Sequence, residues 1–255
     1  MTDDVHPLGE HAHKYNLEPQ KEEKKVVNAL EQDVRPQHHA DTDFERSIHE
    51  KASQVQEELL RGFHAIAEYP KSVTFFGSAR IDADHPYYQK AERLASRICT
   101  LGYTVITGGG PGIMEAGNRG SKNTCHVGVG FNIELPSVQI MNPYITHGVN
   151  FSSFPARKIS LFFSAEAYLY FPGGYGTLDE FFQLITNIQT GKAPKTPVIL
   201  VGSEFWNDID ALIRTKLLDK WKTISPGDVN LYKILDDEDA IIEIIKTAPL
   251  RQDYN

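Results

Sequence analysis

Three glycine-rich strings carry most of the chemistry legible in this 255-residue chain. They are Phe76-Gly77-Ser78-Ala79-Arg80, then Gly108-Gly109-Gly110-Pro111-Gly112-Ile113-Met114-Glu115, then Phe171-Pro172-Gly173-Gly174-Tyr175-Gly176-Thr177-Leu178-Asp179-Glu180. Each follows an apolar, strand-like run and leads into a helical one. Each therefore aims main-chain N–H groups and the positive end of a helix dipole at one rim. Glycine there lets an anion approach the backbone closely. One such turn is ordinary punctuation; three on one sheet edge predict a site for a phosphate or sugar phosphate. Arg157 adds a cation in the first turn of an expected helix, where it opposes the helix dipole, and that misplacement itself points to an anionic ligand. Glu180 supplies a carboxylate at the end of the third string. Thr177-x-x-Glu180 also reads as a capping box, so a local structural role competes with a chemical one.

The elements that must position these residues follow from periodicity. Strand-like runs occur at 72–77, 103–108, 126–133, 145–151, 167–171 and 197–202, with a short one near 232–235. Helical stretches lie between them, near 87–101, 112–123, 155–164, 177–190 and 204–220, and a last helix spans 238–246. Strands alternating with helices predict an α/β fold, a Rossmann-like, doubly wound parallel sheet with helices on both faces. Ligands of such sheets bind at the carboxyl ends of the strands, where strand order reverses. Upstream, Phe44, Ile48, Val55, Leu59, Phe63 and Ile66 recur at helical spacing and predict an amphipathic helix ending before Pro70. The expected organisation is a polar segment over 1–40, a helical extension over 41–69, and a catalytic domain over 70–255. The apolar stripe of the extension needs a cover, which the main body or a second copy of the chain could supply; a second copy is the expectation, since the α/β fold is already complete from Pro70 onward.

The third string resembles, residue for residue, the PGGxGTxxE signature of the Lonely Guy (LOG) family, through Pro172, Gly173, Gly174, Gly176, Thr177 and Glu180. The second resembles the family's GGGxxGxM element through Gly108, Gly109, Gly110, Gly112 and Met114, and Arg157-Lys158 matches its Arg-Lys pair. The similarity covers roughly residues 70–220, and the acidic N-terminal extension is similar to the longer bacterial branch. These proteins were long labelled lysine decarboxylase-like, although no lysine here stands in a pyridoxal-phosphate context. The resemblance implies an N-glycosidase, a phosphoribohydrolase cutting a cytokinin riboside 5′-monophosphate or AMP into free base and ribose 5-phosphate. It implies Glu180 and Arg157 as catalytic residues. Substrate contacts are expected from Gly77, Ser78 and Arg80, from Gly109, Gly110, Gly112, Met114 and Glu115, from Lys158, and from Gly173, Gly174, Tyr175, Gly176 and Thr177. Asp179, one residue from Glu180, is the weaker carboxylate. The mechanism needs no cofactor and no metal. A broader purine or pyrimidine nucleotide nucleosidase, and a non-catalytic carrier of a nucleotide-like cofactor, are the competing readings.

Composition narrows the partners. Residues 1–50 hold six Lys/Arg against twelve Asp/Glu, a net of −6, which leaves only −2 on the other 205 residues. The main body thus lacks the basic field that nucleic acid requires. Gly110-Pro111-Gly112 followed by Glu134 imitates a dinucleotide fingerprint, but Glu115 stands where its third glycine belongs and the string follows the second strand, not the first. No P-loop string exists. The opening residues carry Asp3, Asp4 and Glu10 with no apolar run, so a cytoplasmic protein without signal peptide or membrane partner is expected. Cys99 and Cys125 have no CxxC spacing and are expected as buried free thiols. His6, His11, His13, His38 and His39 lack the paired spacing of a metal site.

Overall fold

The computed structural model describes residues 43–135 and 141–250. The histidines of the N-terminal segment lie outside the described residues. Residues 1–51 and 52–255 form two compact units. Of the first, residues 43–51 are described, and they are the opening turns of helix α1, Asp43–Ala67.

The second unit is a parallel α/β sheet. Along the chain follow β1 (Ser72–Phe76), α2 (Pro86–Thr100), β2 (Thr104–Thr107), α3 (Ile113–Cys125), β3 (Val129–Ile133), β4 (His147–Phe151) and α4 (Phe154–Phe162). Then come β5 (Ala167–Tyr170), α5 (Tyr175–Gln189), β6 (Val198–Leu200), α6 (Ser203–Leu212), β7 (Lys233–Ile234) and α7 (Glu238–Lys246). The strand order is β4-β3-β2-β1-β5-β6-β7, and every pairing is parallel. Order therefore reverses between β1 and β5, the strands that feed the first and third glycine strings.

Side chains alternate across the sheet as the strand period of two demands. Val73, Phe75, Ala167, Leu169 and Ile199 pack with α2, α3 and α7 on one face. Phe76, Tyr168, Tyr170, Val198 and Leu200 pack with α4, α5 and α6 on the other. Ile66 of α1 joins this second core, with Val55 and Leu59 packed against it. That stripe thus finds part of its cover within its own chain.

Three expectations are corrected. Helix α5 begins at Tyr175 with Gly174 as its N-cap, two residues earlier than expected. Thr177 is then inside the helix, and no capping box forms with Glu180. The expected helix over 204–220 ends as α-helix at Leu212 and continues as π-helix over Ile213–Lys220. Cys99 and Cys125 are joined as a disulfide, their Cα atoms 6.1 Å apart. The bond is within reach because α2 and α3 pack closely: a Cβ on Gly120 would fall 2.1 Å from the Glu92 carbonyl oxygen.

Candidate active site

A cavity of about 600 Å³ opens at the carboxyl ends of the strands, on the reversal between β1 and β5. Ten of the residues singled out from sequence line it: Gly77, Ser78, Arg80, Met114, Arg157, Gly174, Tyr175, Gly176, Thr177 and Glu180. The glycine strings are laced together by their backbones. Ser78 N–H donates to the Pro172 carbonyl at 3.0 Å, and Ile113 N–H donates to the Ser78 carbonyl at 3.0 Å. Gly112 permits the second contact, since its φ of +70° suits glycine and a Cβ would sit 2.3 Å from the Ser78 oxygen. By contrast, nothing lies within 4 Å of a Cβ built on Gly174 or Gly176. Packing does not require glycine at these two positions, which border the cavity. Their helix α5 has no side-chain cap, so the first N–H groups of its N-terminus are left for another acceptor.

Arg157 is 7% exposed. Its Nε donates to the Phe131 carbonyl at 2.7 Å and Nη2 donates to the Gly108 carbonyl at 3.3 Å. Phe131 lies within β3, and Gly108 directly follows β2. The partial negative charge of these two carbonyls is what allows a cation in the first turn of α4. The third nitrogen, Nη1, stands 3.9 Å from Glu180 Oε1, too far for a hydrogen bond. Gly108 has no side chain for a reason sequence could not show: a Cβ would sit 2.2 Å from Arg157 Nη2.

Among the described residues the Glu180 carboxylate accepts no hydrogen bond, although its main-chain oxygen accepts one from the Tyr170 hydroxyl at 3.2 Å. Burial pushes the carboxyl up to about 7, against the opposing pull of Arg157, with Asp179 raising it further and Lys158 lowering it. Burial likewise lowers the Arg157 pKa, and Glu180 works against that. A buried carboxyl with a raised pKa beside a fixed guanidinium, next to uncapped N–H groups, suits acid–base or electrostatic chemistry on an anionic ligand.

Six sequence candidates stand off the cavity lining. Gly109 and Gly110 carbonyls accept from Asn142 Nδ2 at 3.2 and 3.0 Å. Gly112 abuts the first string as described. Gly173 backs onto Thr177, whose Oγ1 would lie 2.2 Å from a Cβ there. Glu115 accepts from the Tyr88 hydroxyl at 3.0 Å, and Lys158 donates to Asp179 at 2.8 Å. In turn the cavity includes Ala79, Ile133, Leu135, Phe154 and Leu178, which sequence reading passed over. Phe154 could have been found, because it lies three residues before Arg157 and shares its helix face. Asn142 could not; it joins the Thr107 and Asn118 side chains into one buried network under the second string.

Fold and site together define a parallel-sheet α/β protein with a cavity at its strand-order reversal, lined by glycine loops, Arg157 and Glu180. The family model described as "possible lysine decarboxylase" matches residues 109–245, and the chain belongs to that family. This is the group that the PGGxGTxxE string indicated. An uncharacterized protein of Archaeoglobus fulgidus is 27% identical over 122 residues, covering 48% of this chain and 79% of its own. The fold is shared with the molybdenum cofactor carrier protein of Chlamydomonas reinhardtii, at 18% identity and a TM-score of 0.51, over 70% of this chain and 98% of that one. It is shared too with a protein solved as a structural-genomics target, at 20% identity and a TM-score of 0.51, over 69% and 98%. Among the described residues no helix is long and apolar enough to cross a membrane.

Proposed function

We propose that this chain is a phosphoribohydrolase that cleaves the N-glycosidic bond of a nucleoside 5′-monophosphate, AMP or a cytokinin riboside 5′-monophosphate. The observation that carries the reading is the pairing of Arg157 with a Glu180 carboxylate that accepts no hydrogen bond among the described residues, in a cavity bordered by two glycine strings. The 5′-phosphate lies against the N–H groups of Gly176 and Thr177, with Ser78 and Arg80 opposite. The base rests on the apolar side of the cavity, toward Ile133, Leu135 and Phe154. Glu180 stands under the ribose. As the bond from C1′ to the base nitrogen breaks, its electron pair leaves with the base, and positive charge grows on C1′ and the ring oxygen. Ionised Glu180 stabilises that charge and takes a proton from the attacking water. The departing base gains a proton, so the balance is nucleotide plus water to base plus ribose 5-phosphate. Arg157 keeps the carboxyl from titrating higher still. The expected setting is cytoplasmic and homo-oligomeric.

A carrier of a nucleotide-like cofactor would use the same glycine loops, but it would have no need of a carboxylate facing Arg157. Incubation with a panel of purine and pyrimidine 5′-monophosphates, with bases resolved by chromatography, tests the proposal. Free base and ribose 5-phosphate should appear together without inorganic phosphate. Tight binding of a nucleotide with no base released would instead support the carrier.

A further inference from the structure

Glu58 of α1 is a carboxylate left 2% exposed, flanked on its helix face by Gln54 and Arg61. Burying such a group is expensive unless every lone pair is used. Among the described residues, its hydrogen bonds come from the two residues that join β4 to α4. Oε1 accepts from Ser152 N–H at 3.0 Å and from Ser152 Oγ at 2.6 Å, and Oε2 accepts from Ser153 N–H at 3.0 Å. Ser153 is the N-cap of α4, and its carbonyl accepts the N–H of Arg157 itself at 3.1 Å. A single residue thus links the Glu58 carboxylate to the backbone of the guanidinium. One turn along α1, a Cβ on Gly62 would fall 2.1 Å from Ser160 Oγ, so the two helices touch backbone to side chain. Phe63 meets Phe163 edge to face just beyond the other end of α4, ring centroids 6.2 Å apart.

Docking an amphipathic helix requires only its apolar stripe. A buried carboxylate holding the N-cap residue of the helix that bears Arg157 does something more specific. We propose that Glu58 is a positioning residue: it fixes the N-terminal end of α4 and so sets where the Arg157 guanidinium stands relative to Glu180. This rests on the reading of Arg157 and Glu180 as the reactive pair. The extension that precedes the sheet is then part of the catalytic apparatus. Glu58 is held ionised for this task. Burial opposes its charge, but the Ser152 hydroxyl, the two N–H groups and nearby Arg61 outweigh it and lower its pKa.

The groups facing Glu180 are Arg157 and Lys158 from α4, Asp179 from its own helix α5, and Tyr170 from β5. Both cations that hold its pKa down ride on α4. Loosening α4 should therefore move the acid limb of the pH profile to higher pH, an effect that general destabilisation would not produce. The experiment compares full-length Glu58→Ala, Glu58→Gln and Glu58→Asp with wild type, and with Glu57→Gln as an exposed control. It measures kcat and KM for AMP against pH, and titrates Glu180 by carboxyl 13C NMR. Å-scale misplacement of Arg157 should lower kcat by about 10²-fold in Glu58→Ala. KM should change little, because the phosphate-binding strings do not hang on α4. Glu58→Gln, which keeps the volume and one acceptor, should fall between and carries the test if the alanine variant does not fold. Glu58→Asp should restore part of the loss. An unshifted Glu180 titration in both Glu58→Ala and Glu58→Gln overturns the proposal, whatever happens to rate. If wild type hydrolyses no nucleotide, the proposed function fails, while the Glu180 titration still decides the role of Glu58.

Discussion

Replacing Glu180 by glutamine preserves side-chain volume and removes the charge, and it should stabilise the protein while stopping turnover. Burial raises this carboxyl from 4.5 to about 7, and its side chain is only 13% exposed, so solvent screens the effect little. The native state therefore binds the proton more tightly than the unfolded chain does. Stability associated with the neutral form is complete below the unfolded value of 4.5 and is lost as pH rises through 7. At 1.36 kcal/mol per pKa unit, the ionised group costs about 3 kcal/mol once pH exceeds both values, to order of magnitude. Glutamine cannot ionise and escapes that cost. The variant should exceed wild type by about 3 kcal/mol near pH 8, but by only about 1 kcal/mol at pH 5. Urea unfolding at pH 5, 6, 7 and 8, followed by circular dichroism, reads the difference directly. Base release from AMP should fall by several orders of magnitude in the same preparation, because the lost interaction belongs to the transition state. A stability gap that is constant across this pH range would refute the burial argument. Wild-type turnover would reduce Glu180 to a structural residue.

Other consequences are as direct. In wild type, kcat/KM for AMP should rise with pH through an ionisation near 7 and then level, since the working form of Glu180 is the carboxylate; a profile flat from pH 5 to 8 would contradict this. Adenosine should be a very poor substrate beside AMP, as each charge-assisted bond to phosphate contributes about 1.5–3 kcal/mol; coupled assay of adenine release compares the two. Arg157→Lys cannot reach the Phe131 and Gly108 carbonyls and Glu180 at once. It should leave one buried acceptor unpaired, lower stability by about 1–3 kcal/mol, and raise the Glu180 pKa in a carboxyl NMR titration. Gly112→Ala should lower the thermal midpoint and weaken AMP binding by calorimetry, because the added methyl meets the Ser78 carbonyl oxygen at 2.3 Å.

Much of the architecture was legible because it is written in local patterns. Alternating strand and helix segments foretold the parallel sheet, and Glu238–Lys246 appears as a helix with the bounds that periodicity predicts. The glycine strings marked the rim on which the cavity lies, since runs of glycine at strand-to-helix turns are visible in the sequence itself. Other features depend on segments far apart in the chain. Gly108 is glycine because Arg157, 49 residues on, fills the space beside it. Glu115 looked like a ligand contact within its own string, yet Tyr88 claims its carboxylate. Thr177 and Glu180 had the spacing of a cap, and only the start of α5 at Tyr175 shows that they do not form one. Cys99 and Cys125 read as separate thiols until α2 and α3 are seen packed together. Nothing in the spacing singles out Glu58, which meets Ser152 and Ser153 only because α1 packs on α4. Spacing along a chain records what each segment does with its own backbone. What a side chain meets across the fold depends on distances that exist only after the segments have packed, and these decided the surroundings of Arg157 and the pKa of Glu180.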